Sequence, residues 1–176
     1  MTDKGQKFER EVCVKLSLWV THWSAAGPRR DVFWRSAMSG GRATVAFGRG
    51  IKLDRHAGDI VAISPEGFAL TDRYFVEIKF RRDYGLESFL LFNKGPLRTW
   101  WTKTLREAAK YGKQPIMIVK SNRRPALVVT ECINHMNMYP VIRNKYAVIG
   151  LFGTMLKTRC HINEPFIARR KAGQSG

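Results

Sequence analysis

Between Lys4 and Trp23 the apolar residues Phe8, Val12, Trp19, Val20 and Trp23 recur at the spacing of one helical face, with Lys7, Arg10 and Lys15 at polar positions. The pattern predicts a helix over this stretch. A neighbouring row, Glu9, Cys13, Leu16 and Val20, is apolar except for its first member, so Glu9 is expected to lean toward the protein. Glu11 lines up instead with Lys15, Leu18 and His22, a mixed row that reads as solvated. Taken alone, Glu9 is as well explained by the helix dipole, which favours negative charge in a first turn.

Gly27-Pro28 ends that helix, and the pattern then shortens to the period of strands. Asp31 to Arg35 reads as one short strand and Gly58 to Ile63 as another, with Asp59 at its mouth behind a glycine that lets the backbone approach closely. Turn-forming residues at Ser64 to Gly67 follow, and residues 68–73 lead into Tyr74-Phe75-Val76-Glu77-Ile78-Lys79-Phe80. Side chains alternate along a strand, so Phe75, Glu77 and Lys79 share one face while Val76, Ile78 and Phe80 share the other.

Leu86 to Phe92 is apolar enough to pack on a sheet or on a second subunit. Pro96 suits a helix start, and Leu97, Trp100, Trp101, Leu105, Ala108 and Ala109 make an apolar stripe ending near Gly112. Pro115 to Lys120 and Ala126 to Thr130 read as paired strands, and Tyr146 to Phe152 as one more. The expected architecture is α/β, a central mixed sheet flanked by helices. Residues 1–130 are read as the core, and residues 131–176 as an extension packed on the same domain, with a basic tail around Arg169-Arg170-Lys171.

Glu77 and Lys79 put opposite charges on one face of an otherwise apolar strand. Ionised groups there are costly unless paired or coordinated. An ion pair on an edge strand is the simplest account of an isolated Glu-x-Lys. A neighbouring strand carrying Asp59 changes the picture, because it would bring two carboxylates and an amine together. Two carboxylates supply hard oxygen ligands for Mg²⁺, which prefers one or two of them plus waters and substrate phosphate oxygens. Such an ion lowers the pKa of bound water and neutralises charge building on a phosphodiester, and a nearby ammonium stabilises the transition state. The grouping suits phosphodiester hydrolysis.

Charge points to the same class of substrate. The 176 residues hold 31 Lys plus Arg against 14 Asp plus Glu, a net charge of +17 and a pI near 10.4, while 44% hydrophobic residues argue against general disorder. So large an excess calls for a polyanionic partner. No long apolar run or terminal basic amphipathic helix supports a membrane, which leaves nucleic acid. Arg42, Arg49, Lys52 and Arg55 lie in a glycine-containing segment that reads either as a mobile loop giving phosphate contacts or as a merely solvated loop. It lacks the spacing of a phosphate-binding P-loop. His56 lies close enough in sequence to Asp59 to touch substrate, although a surface role is the simpler reading.

Cys13, Cys132 and Cys160 do not make a disulfide framework and no secretory signal opens the chain, so a reducing cytoplasm is expected. Cys132-x-x-His135 and Cys160-His161 lack the usual spacing of a zinc site, and buried thiols with ordinary histidines are the simpler reading.

The ordered pieces Gly5 with Glu9-Arg10-Glu11, Arg35-Ser36-Ala37-Met38-Ser39-Gly40, Gly58-Asp59-Ile60 and Val76-Glu77-Ile78-Lys79 followed by Arg81-Arg82 resemble the PD-(D/E)XK nuclease superfamily. Within it they are similar to the archaeal-type Holliday junction resolvases also found in phages. The resemblance covers about residues 4–82 and implies a restriction-endonuclease-like fold. It also implies that Glu9, Asp59 and Glu77 help hold Mg²⁺ (Mn²⁺ substituting) and orient water, with Lys79 beside the scissile phosphate. Ser39 matches a serine on the family's catalytic loop, and Arg35 matches the arginine of the same segment. Arg35, Arg81 and Arg82 join the loop cations as expected DNA contacts. The family is typically a homodimer whose two sites cut opposing strands of a four-way junction, in the cytoplasm of a prokaryotic cell or phage-infected host. The segment between Gly40 and Asp59 is longer than is usual there, and the C-terminal extension has no counterpart.

Overall fold

In a computed structural model, which describes residues 3–36, 57–131 and 140–158, the first helix, α1, runs Asp3–Thr21. Its apolar row of Phe8, Val12, Leu16 and Trp19 is buried, as the helical spacing requires. Ser17, buried on the same helix, accepts the backbone N–H groups of Val32 and Phe33 at 3.1 and 3.0 Å and donates to the Cys13 carbonyl. One hydroxyl thereby fixes where the chain re-enters after the Gly27-Pro28 break. That entry is β1 (Phe33–Arg35), which pairs antiparallel with β2 (Ile60–Ala62).

A single turn of 3-10 helix at Pro65–Gly67 leads into α2 (Phe68–Arg73) and then β3 (Tyr74–Arg81). Two helices follow, α3 (Leu86–Phe92) and α4 (Pro96–Lys110), with proline opening α4 where its missing N–H leaves no bond unmade. The remaining elements are β4 (Gln114–Ser121), β5 (Leu127–Thr130), β6 (Pro140–Arg143), β7 (Val148–Leu151) and the one-turn helix α5 (Phe152–Met155). The helix at residues 68–73 was not expected from the pattern. It is too short to show a helical apolar period and holds only because Leu70 and Thr71 are buried against the ribbon and sheet.

Strands β3 to β7 form one five-stranded sheet in the order β3-β4-β5-β7-β6. Only β3 and β4 are parallel, paired over eight residues from Tyr74–Gln114 to Arg81–Ser121, and α3 and α4 make the crossover between them. The sheet runs across residue 131, because β7 hydrogen-bonds β5 on one side and β6 on the other.

Both faces of the sheet are covered. Ile116 and Ile118 of β4 face α1 together with Val76 and Ile78 of β3, whereas Met117 and Val119 face Leu97 and Trp101 of α4. Burial on both sides is why β4 reads as an unbroken apolar run. A smaller cluster, Ala57, Phe75, Ala108 and Tyr111, closes the α4 side of β3, where the Phe75 and Tyr111 rings stack 6.1 Å apart. The chain therefore has the mixed α/β architecture expected from its sequence. Among the described residues, no helix is long and apolar enough to cross a membrane.

Candidate active site

Just before β2, a parallel bridge between Gly58 and Val76 joins the ribbon to the main sheet. Gly58 has φ +93°, and a Cβ there would lie 2.6 Å from the Val76 carbonyl oxygen, so only glycine permits the approach. The next residue is locked from three directions. Asp59 donates its backbone N–H to the Val76 carbonyl at 2.8 Å, its own carbonyl accepts the Ser36 N–H at 2.9 Å, and its carboxylate Oδ2 accepts the Ile78 N–H at 2.7 Å. Asp59 is thus held against β3 by one backbone bond to Val76 and one carboxylate bond to Ile78.

On β3, alternation sends Val76 and Ile78 toward α1 and leaves Glu77 and Lys79 on the face shared with Phe75. Lys79 Nζ and Glu77 Oε1 form an ion pair, with side chains only 17% and 13% exposed. Glu9 approaches from α1 and is buried as its row predicted, with Arg35 Nε donating to its Oε2 at 2.6 Å. Glu11, in contrast, is partly solvated and pairs with Lys15 on its own helix and with Lys120 of β4.

Three acidic residues distant in sequence therefore share one electrostatic neighbourhood around the β3 edge. Burial, and after it the negative charge of Glu77, pushes the Asp59 carboxyl up to about 7 against the opposing pull of Lys79, and Glu9 adds to the rise. Cys13, one turn beyond Glu9, responds to the same field. Burial chiefly, with Glu9 and Asp59 assisting, pushes its thiol up to about 12. Among the described residues, no three His, Cys, Asp or Glu side chains stand together in a group that could hold a metal ion. Glu9 is engaged by Arg35, and Glu77 by Lys79.

The remaining candidates divide into two groups. Arg35 is spent on Glu9 and is mostly enclosed, while Arg81 and Arg82 are exposed at the end of β3, with the Arg81 guanidinium 5.8 Å from the Trp100 ring. Ser39, Arg42, Arg49, Lys52, Arg55 and His56 lie outside the described residues, as do Cys132, His135, Cys160 and His161. The sequence reading missed that Arg35 completes the Glu9 position. The pairing spans 26 residues between a helix and a strand, and no local spacing announces it.

The model of a family described as "Phage putative PDDEXK endonuclease" matches residues 1–163 of the 176. The chain belongs to this PD-(D/E)XK endonuclease family. The match spans the helix, ribbon and sheet that carry Glu9, Asp59, Glu77 and Lys79, and the mixed sheet flanked by helices is consistent with the fold of such nucleases. No curated protein and no solved structure compared with it gives a match.

Proposed function

We propose that the chain is a divalent-metal-dependent endodeoxyribonuclease acting on branched DNA in the manner of a Holliday junction resolvase, with Asp59, Glu77 and Lys79 at its centre and Glu9 beside them. What carries the reading is Asp59, a buried carboxylate whose proton affinity is raised by burial and a second carboxylate, beside an enclosed ammonium. Repulsion between buried acids is relieved by a cation as well as by a proton. Asp59 and Glu77 fit Mg²⁺, which needs only one or two carboxylates when waters and phosphate oxygens fill its other positions. When bound, such an ion supplies Lewis acidity and a more acidic water.

The chain's own residues do the rest. Lys79, released from Glu77 by substrate, would donate to a nonbridging phosphate oxygen and stabilise the charge that grows there. Glu9, oriented by Arg35, would accept a hydrogen bond from the attacking water and hold it in line. Arg81 and Arg82, together with the loop cations Arg42, Arg49, Lys52 and Arg55, would hold the backbone of DNA on either side of the scissile bond. Ser39 keeps the role that the resemblance gives it.

The preference for branched DNA rests on the four ordered motif pieces. The matching homodimer needs an apolar surface, and Leu91 and Phe92 on α3 are 73% and 68% exposed. The test is cleavage of a synthetic four-way junction and of a duplex of the same sequence in Mg²⁺, by the parent and by Asp59→Asn and Glu77→Gln. Loss of about 100-fold or more in both variants is expected. Variants that cut like the parent would leave only a basic DNA-binding protein. Equal cutting of duplex and junction would make this a nuclease of restriction or repair type.

A further inference from the structure

Resting on the nuclease reading above, we propose that the outward face of α4 is a second DNA-backbone site, separate from the motif residues. Arg98, Thr99, Thr102, Lys103 and Arg106 line one open concavity on the surface. At 100° per residue, Arg98, Lys103, Arg106 and Lys110 fall in one arc of the helix, opposite the buried Leu97, Trp101, Thr104 and Ala108. The only acid of α4, Glu107, lies at the margin of that arc, is 17% exposed and is paired with Lys110 at 2.9 Å and more loosely with Arg106 at 3.6 Å. Lys103 has no carboxylate partner among the described residues, and the Arg106 side chain is 70% exposed.

The cations are presented rather than merely present. Arg98 lies 5.3 Å from the Tyr146 ring and donates to Thr102 Oγ1 at 2.6 Å, which holds its guanidinium against the surface. Lys145 reaches the same ring from the β6–β7 turn, so the positive tract continues beyond the helix. At its other margin Arg81 stacks on Trp100, only two residues past Lys79 on β3. Arg98 to Arg106 covers about 12 Å along the helix, which matches three to four phosphates along one DNA strand. A surface of one sign with hydroxyls between its cations fits a phosphate backbone, whose contacts position DNA and carry no sequence preference. DNA held there lies against the flank of the cleavage edge through Arg81 and Trp100.

Binding of a short blunt-ended duplex, measured in EDTA over a range of salt, tests the site without cleavage. Relative to the parent, Arg98→Ala/Lys103→Ala/Arg106→Ala is expected to flatten the slope of log affinity against log salt by about 2 to 3. Because Arg98 also packs on Tyr146, the exposed pair Lys103→Glu/Arg106→Glu provides an independent measurement that leaves that packing alone. Arg106→Lys, which keeps the charge, is expected to retain the parent's slope. Unchanged slopes in both multiple variants, with parent-like melting, overturn the α4 site while leaving the nuclease reading in place. A parent that does not bind DNA removes both.

Discussion

Arg35 Nε stands 2.6 Å from Glu9 Oε2, a charged hydrogen bond between the first strand and the first helix in which the carboxylate is almost fully enclosed. The guanidinium is the ion-pair partner of a carboxylate held inside the protein. Removing one partner of such a pair strands the other's charge out of water.

Arg35→Ala is therefore expected to destabilise the protein by about 3 kcal/mol in urea denaturation, the range for breaking an enclosed ion pair from one side. Adding Glu9→Gln should recover a large part of the loss, since no bare charge then remains. A double variant as unstable as the sum of the two single ones would show that the pair is not coupled.

Asp59 gives a pH signature. Its carboxyl titrates near 7 in the folded chain against an ordinary value of 3.8, so between those limits the folded state binds more protons than the unfolded one. Stability contributed by this group is full below about 4 and is lost as pH rises through 7. Asp59→Asn should then raise the melting temperature of the metal-free protein at pH 8 and change it little at pH 4. Mg²⁺ at pH 8 should also raise the parent's melting temperature, and EDTA should reverse the rise, because an ion held by the folded site stabilises only that state. A flat profile for the parent in EDTA would contradict the arrangement around Asp59.

Gly58→Ala tests the joint itself. The substitution combines a φ of +93° with a Cβ 2.6 Å from a backbone oxygen, and neither can be relieved by a side-chain rotation. Expected are a loss of about 2 kcal/mol or more in stability and loss of junction cleavage, because the bridge that seats Asp59 must open. A variant with parental melting and cleavage would mean that the bridge is dispensable.

Cys13 should be inert. Buried in the α1 core with its thiol pushed up to about 12, it offers almost no thiolate at neutral pH. Mass mapping after iodoacetamide treatment should find the Cys13 peptide unmodified in the native protein and alkylated in guanidinium.

Much of the site could be read locally. The inward lean of Glu9 followed from its helical row, and the shared face of Glu77 and Lys79 from strand alternation, since both depend only on periodicity. The paired strands at residues 115–130 were equally plain, because β-branched runs flank a short turn. What could not be read depends on residues far apart in the chain. The Arg35–Glu9 bond gave Arg35 a protein partner where sequence pointed to DNA, and α2 is held by packing that six residues cannot advertise. The cationic arc of α4 was available in principle from the spacing of Arg98, Lys103, Arg106 and Lys110. Attention to the apolar stripe on the opposite side of that helix concealed it.

Every motif residue of the proposed centre is in place by Arg81, yet among the described residues β3 draws eight strand pairings from β4, which ends at Ser121, and one isolated bridge from the earlier chain. On the proposed reading, a ribosome that has made Glu9, Asp59, Glu77 and Lys79 would therefore not yet have made a working cutter. The nascent polypeptide would stay harmless to nearby DNA until some forty further residues had emerged to clamp the strand from its other side.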